Sequence, residues 1–519
     1  MLSVENSNDF SYDSDEELLN SQVMNDNSDF EEEEHNLQDA KCHDAVIVEN
    51  VKWENDPISM EQFPFTKSEC LLQPKACNDP IEYFKHLFTD DFLDEIVTHT
   101  NDYARYVLHD QKTDARSRIK SWKDTTKEEI LVFIGLILHM GTIRLTRLQD
   151  YWKKDSLFGF RVFGDNMSRD RFYLLLNALQ FSKVTEQNSK DRFYKVRGMV
   201  NLFNARMAEI YYPGREISLS ESMVCFKHYV TNKLNRRNMK FCTITTPDGM
   251  VVKCMLDDSD DNQNAHKVVL NLLDGMLDAG HSVFIDNSYC SYELVKCLAG
   301  RKIHCTGIIR RKEGIFPPEV REANLKKGET IAKFANGVMI AKWKDSIDVT
   351  CVSNEFINDI IVTSNKRGDI RSKPLPIIQY NKYMSSTKKL DHMLLPYYPC
   401  ERQKIKWPTK VFIHVLQLII SNANFLHNEF SDKNMLLYDF RLSVIRCLLK
   451  QVTVTRIPVC DSSKLEHLLE AREEKNGRKM RKQCKRCYSK GKRRFTIYVC
   501  NDCDGSPGYC LKCAKITHV

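Results

Sequence analysis

The sequence predicts a multi-domain α/β protein, and three observations carry that prediction. Helix-period segments with capping signals begin near residue 79. Short β-branched and aromatic runs take over near residue 215, and one of them, following a helical stretch, ends in an acid. Six of the nineteen cysteines fall in the last 36 residues. A chain of 519 residues has room for roughly three or four domains.

Composition excludes several classes. Hydrophobic content of 42% and charged content of 28% are those of a globular protein. The longest apolar run, "ILVFIGLILHM" from Ile130, is far short of the ~20 residues that span a bilayer. The N-terminus opens on acidic and polar residues rather than a basic region and an apolar one. No signal peptide and no membrane anchor are expected. The cysteines of so large a chain therefore read as reduced thiols plus a metal knot, in the cytosol or nucleus. Charge is divided unevenly. The first fifty residues hold fifteen Asp or Glu and Lys41 as their only Lys or Arg, and the remainder is basic by about twenty charges. A basic body needs an anionic partner, most commonly nucleic acid. The acidic N-terminus is a candidate for recruiting protein partners.

Residues 1–75 read as a disordered acidic region, since "SYDSDEELLNSQ" and "DFEEEEH" lack periodicity. Residues 79–214 are helical. Thr125 with Glu128 makes a capping-box pattern ahead of the apolar run, and Ser168 caps a helix whose apolar face is Phe172, Leu175, Leu176 and Leu179. Residues 215–310 carry the strands "EISLS", "KFCTITT", "MVVKCML" and "HSVFIDN", with a turn at "TPDGM" and a helix from about His266 to Ala279. Residues 311–371 form a second β-rich patch, whose Asn336-Gly337 pair predicts a hairpin turn. Residues 372–394 return to helix through "IIQYNKYMSSTKKLDHM". Residues 395–455 contain an apolar helix with Pro408 in its first turn. A basic linker, 456–483, leads to the cysteine-rich segment 484–519.

That last segment gives the most specific local signal. Cys484-x2-Cys487, Cys500-x2-Cys503, Cys510-x2-Cys513 and His518 make three knuckles and a histidine. A tight turn between paired thiolates lets both reach one ion, so two structural Zn²⁺ sites are expected, one of them short of a ligand or completed by one from elsewhere. An interleaved arrangement puts Cys484, Cys487, Cys510 and Cys513 on one ion and Cys500, Cys503 and His518 on the other. "GRKMRKQCKRC" and "KGKRRF" read as nuclear import signals, phosphate contacts, or both.

Two shorter signals lie in the strands. In "SVFIDNSY", Asp286 closes an apolar strand and is followed by Asn287, a place for a metal ligand or simply a turn. In "REISLSESMVCFK", Ser218 and Ser220 share one face and Ile217 and Leu219 the other. Its hydroxyls fit an ordinary sheet edge, or a metal site that has lost its carboxylate.

The order and spacing of "WKDTTKEEILVFIGLILHMG", "LQDYW", "MSRDRFYLLLNALQF", "SESMVCFK", "FIDNSY", "NKYM", "LDHML" and "YYPCERQKIKW" resemble the piggyBac transposase family over roughly residues 79–519. The resemblance is nearest to the transposable-element-derived members of animal genomes. It implies a ribonuclease-H-like catalytic fold at 215–310 and 372–394, with 311–371 as its β-rich insertion. It further implies a helical dimerisation and DNA-binding domain from 79–214 and 395–455, and a zinc-binding tail that reads DNA. Such enzymes cut and join DNA at TTAA targets with three aspartates and two Mg²⁺, whose clamp on the attacking and leaving oxygens needs anionic ligands.

By that resemblance the first aspartate falls on Ser220, the second on Asp286, and the third on Lys388, with a nearby fourth acid kept as Asp391. Glu221 should face away, because successive strand residues alternate, and Glu216 lies about 13 Å from Ser220 along the strand. Two Mg²⁺ would then have too few anionic ligands, with an ammonium beside them. Lys388 could pair with Asp286 and Asp391 in the metals' place. The expected protein is a nuclear, dimeric, catalytically inactive binder of transposon-end-like or TTAA-flanked DNA. Two alternatives stand beside it: a nuclease that uses Glu221, Asp286 and Asp391, and an interaction factor that no longer binds DNA.

Overall fold

The computed structural model of the chain describes residues 51–57, 60–73, 78–109, 118–183, 191, 193–222, 240–257, 262–309, 315–364, 370–399, 405–449, 469–472, 474–475, 478–501 and 503–517. The chain divides into two compact units, residues 1–450 and 451–519.

In the first unit, β1 (Cys70–Leu71) precedes helices α1 (Pro80–Leu87), α2 (Asp90–His109), α3 (Lys127–Thr142), α4 (Arg161–Asn166), α5 (Arg169–Ala178) and α6 (Tyr194–Ile210). β2 (Tyr211–Tyr212) then pairs with β1. The cap of α3 is Thr126, not Thr125: its side chain accepts from the Glu129 N–H, whereas Thr125 is buried and bonded to Asn101. Ser168 caps α5 as its sequence requires, accepting from the Arg171 N–H at 3.3 Å. Phe172, Leu175 and Leu179 are buried, with Leu176 packed against them.

The sheet follows: β3 (Glu216–Ser222), β4 (Lys240–Thr245), β5 (Val251–Asp257), α7 (Asn262–Leu272), β6 (Ser282–Ile285), α8 (Tyr292–Gly300) and β7 (His304–Ile308). α7 ends at Leu272 rather than Ala279, and turns that contain Gly275 and Gly280, both at positive φ, lead into β6. After α9 (Pro318–Glu322) come β8 (Thr330–Ala335), β9 (Val338–Lys344) and β10 (Asp348–Ser353). Asn336 and Gly337, at φ 50° and 74°, make the turn between β8 and β9, the geometry a two-residue hairpin demands.

All eight strands from β3 to β10 form one mixed sheet, ordered β5-β4-β3-β6-β7-β10-β9-β8. β3, β6 and β7 run parallel, and the other neighbours are antiparallel. Strands from the 311–371 segment thus continue the same sheet, because β10 hydrogen-bonds directly onto β7. Only β11 (Ile360–Ser364) and β12 (Ile370–Pro374) stand apart, as a separate hairpin.

α10 (Leu375–Leu394), α11 (Trp407–Phe430) and α12 (Leu437–Leu448) complete the unit. α11 is, among the described residues, the one helix long and apolar enough to cross a membrane, and it is largely buried inside the fold. The main apolar core runs through helices and sheet alike, from Phe84 and Phe133 through Leu219 and Ile285 to Leu416 and Phe440, and a smaller cluster gathers around Met339, Trp343 and Ile377. A buried cation ties the helical part of the main core together. Arg441 donates to Gln417 Oε1 at 2.6 Å and to the Leu138 carbonyl, in the last turns of α3, at 2.7 Å.

The expectation of disorder through residue 75 is corrected for the described part of that region. Its described residues, 51–57 and 60–73, include several that bond to the sheet and its connections. Glu54 and Phe334 exchange backbone hydrogen bonds of 2.9 Å, Phe63 N–H donates to His304 Nε2 at 2.9 Å, and Thr66 N–H donates to the Ala279 carbonyl at 3.0 Å. Trp53, Phe63 and Phe65 provide ring contacts, to Tyr292, His304 and His281, that a uniformly acidic segment lacks. The acidic stretch 1–50 lies outside the described residues.

In the second unit, β13 (Leu469–Ala471) leads to the two-residue strands β14 (Glu474–Lys475), β15 (Arg478–Lys479) and β16 (Lys482–Gln483). α13 (Lys485–Ser489), β17 (Phe495–Thr496), β18 (Tyr498–Cys500) and α14 (Leu511–Thr517) follow. Three two-stranded pairs, β13 with β18, β14 with β15 and β16 with β17, frame a small cluster built on the cysteines.

Candidate functional site

The first candidate site is the face of the sheet crossed by α10. Ser218 Oγ donates to the Tyr383 carbonyl at 2.9 Å, and the Tyr383 ring stacks on Phe284 with centroids 4.6 Å apart. Ser218 and Phe284 are register partners, so Ser220 and Asp286, each two residues on, emerge on the same face. The strand-end bond from Asp286 N–H to the Leu219 carbonyl, 3.2 Å, sets the two side by side. Thr243, the partner of Ser220 in β4, completes the row.

This row is polar but poor in anions. Ser220 is 5% exposed and Thr243 1%. Neither hydroxyl has a hydrogen-bond partner among the described residues. The Asp286 carboxylate accepts from Asn287 N–H at 2.8 Å and from the Tyr380 hydroxyl of α10. Burial, followed by the Asp286 charge, holds the Tyr380 phenol well above its ordinary range, so it stays a donor. Tyr380 was missed by sequence reasoning. The one available cue was its helical spacing ahead of Lys388 in "QYNKYMSSTK".

Glu221 sits on the opposite face. Its register partner Cys242 contacts the Tyr289 hydroxyl at 2.8 Å. The Tyr289 phenol is raised by burial, by Cys242, and then by the charges of Glu221 and Asp257. Lys388 and Asp391 both belong to α10, three residues apart, and their side chains lie outside the described residues. Among the described residues this face therefore offers one half-buried carboxylate, engaged by a phenol, beside a serine hydroxyl that has no partner among them.

The second candidate site is the cysteine knot. Cys484, Cys487, Cys510 and Cys513 place all four sulfurs within 4.8 Å of one another. Three of the separations are 3.9 Å (Cys484–Cys510), 3.9 Å (Cys487–Cys510) and 3.6 Å (Cys487–Cys513). Sulfurs bound at ~2.3 Å around a tetrahedral ion lie about 3.8 Å apart, so the donor set fits one such ion. Burial works against a thiolate at Cys484. The backbone N–H groups of Cys510 and Cys487 reverse that, bringing it down to about 7. The interleaved set is thereby brought together. Cys500 is fully buried and Cys503 lies in the turn that follows it, while His518 is outside the described residues. Around the knot Arg481, Lys485, Lys490, Lys492, Arg493 and Arg494 are exposed.

A family model described as Transposase IS4, of the piggyBac type, matches residues 79–424. The chain belongs to the piggyBac-type transposase family. It is 24% identical over 433 residues to the human PiggyBac transposable element-derived protein 2, covering 78% of this chain and 70% of that protein. It is 22% identical over 395 residues to the human PiggyBac transposable element-derived protein 3, covering 70% of this chain and 64% of that one. A cryo-EM structure of a piggyBac transposase synaptic complex with hairpin DNA superposes with a TM-score of 0.59 at 20% identity, covering 84% of this chain and 98% of the solved one. The mixed α/β fold with its large sheet is therefore a piggyBac-type fold.

Proposed function

We propose that this protein is a transposase-derived nuclear DNA-binding protein that no longer cuts DNA. The observation that carries the reading is the pairing of Ser220 with Asp286. At the two neighbouring strand ends where the family resemblance calls for two carboxylates, this chain has a buried hydroxyl and one acid bonded to Tyr380. Lys388 in α10 replaces the third. Glu221 gives no rescue, because it lies across the sheet.

The ribonuclease-H-like assignment is supported by the β5-β4-β3-β6-β7 portion of the sheet, three antiparallel strands followed by two parallel additions. DNA binding is supported by family membership, by the likeness to a transposase solved with hairpin DNA, and by the exposed cations around the knot. Zinc is the ion the four-thiolate set suits best, and its role there is to hold the tail folded. The dimer, and a role for the acidic N-terminus in recruiting proteins, belong to the same reading.

The test is a Mg²⁺-dependent nicking and hairpin assay on transposon-end duplexes. Wild-type protein is expected to leave the strands intact, whereas Ser220→Asp combined with Lys388→Asp gains cleavage. Wild-type cleavage that disappears in Asp286→Ala would overturn the proposal.

A further inference from the structure

The turn between the 3₁₀ segment Leu148–Trp152 and α4 presents the most exposed of the large apolar side chains described, Leu157 at 86%. It is a built turn. Asp155 Oδ1 accepts from Leu157 N–H at 2.8 Å, and the Asp155 carbonyl accepts from the N–H groups of Phe158 and Gly159, each at 3.0 Å. Lys153 is spent on the same scaffold, 2.7 Å from Asp150 and 4.7 Å above the Phe158 ring. The base is anchored too. Tyr151 OH donates to the Ile143 carbonyl at 2.7 Å, and Trp152 Nε1 donates to the Met167 carbonyl at 2.8 Å. A lone exposed leucine is ordinary on a protein surface, so only its setting can point to a partner that covers it.

The charges around it indicate what does. Arg147, Lys154 and Arg161 are exposed, and none makes an ion pair with a described residue. The stretch from 143 to 161 holds five cations against two acids, one of which, Asp150, is paired with Lys153. An apolar tip flanked along the chain by exposed cations that make no ion pair with a described residue is the composition of a wedge that enters a base step while its neighbours hold the flanking phosphates.

We infer that the Asp155–Gly159 turn is a DNA-deforming wedge, with Leu157 inserted at a base step of a duplex whose backbone Arg147, Lys154 and Arg161 grip. The inference deepens the DNA-binding reading above and rests on it. It adds how the duplex is held: by deformation as well as by charge.

The experiment uses the full chain and a short TTAA-centred duplex labelled at both ends, with bending read by energy transfer and affinity by salt titration. Wild type is expected to bend the duplex. Leu157→Ala should abolish the bend and weaken binding about tenfold, with an unchanged salt slope and an unchanged melting curve. Combined Arg147→Gln, Lys154→Gln and Arg161→Gln should lower the salt slope by roughly three. If wild type shows no salt-dependent binding, the DNA-binding reading fails and the wedge with it. If wild type binds and Leu157→Ala bends the duplex equally well, the wedge alone fails. A Leu157→Ala effect confined to oligomeric state, or to binding of vesicles containing phosphatidylserine, likewise overturns it and reassigns the surface.

Discussion

The α10 face of the sheet and the cysteine knot offer very different donors: one carboxylate beside two hydroxyls on the first, four clustered thiols in the second. The difference lies in what holds each region together. Around Ser220 and Asp286 the strands are fixed by backbone ladders and by a core of fully buried residues such as Leu219 and Ile285. That burial contributes stability without any ion. A carboxylate there can become a hydroxyl and the fold survives. The cysteine unit has short strand pairs, and its small buried cluster consists largely of the sulfurs themselves. Its ligands serve as its core, so they cannot drift singly.

Substitutions sharpen that contrast, the largest expected effect coming from the knot. Cys487→Ser, or removal of the metal by a chelator, should unfold the cysteine unit, since ~10–16 kcal/mol of binding energy is folding energy in such modules. Amide dispersion should vanish for residues 469–517 and persist for the first unit. Simultaneous loss in both would show that the two regions are not independent.

Acid separates them next. His414 is fully buried against Phe241 with its Nδ1 bonded to Tyr398, and burial depresses its pKa to about 3. The unfolded chain protonates this group near pH ~6.5 and the folded one only near 3, so lowering the pH between those limits draws protons onto the unfolded state. Stability of the first unit should fall over that window by on the order of 4 kcal/mol from this group. His139, His281 and His304, also depressed chiefly by burial, push the same way. Urea midpoints measured at several pH values should flatten by one proton's worth in His414→Gln, and an unchanged slope would refute the assignment.

Smaller effects are expected at the sheet face. Tyr380→Phe removes one donor from Asp286 and should cost ~1–3 kcal/mol. Ser220→Ala should change stability by less than about 1 kcal/mol, because the lost hydroxyl has no hydrogen-bond partner among the described residues. A large loss on Ser220→Ala would mean that this seat still does structural work, and the comparison would break.

Much of this was legible one segment at a time. Ser168, Pro408 and the Asn336-Gly337 turn signal their conformations through their own side chains and φ preferences. The four interleaved thiols were legible because knuckle spacing is a local geometric requirement. Thr125 and Thr126 both satisfy the cap pattern, each with a glutamate three residues on. Burial of Thr125 against Asn101 decided between them.

By itself, then, the sequence determined the order of helices and strands, the thiol set, and the presence of a hydroxyl at position 220 and an amine at position 388. Each of these is a property of a residue and its near neighbours. Only the tertiary structure decided that β8 to β10 extend the sheet from β7, that Glu54 bonds to β8 and Phe63 to β7, and that Tyr380 engages Asp286. Those outcomes depend on which distant backbone or side chain satisfies an open hydrogen-bonding group. Short-range periodicity carries no record of that choice.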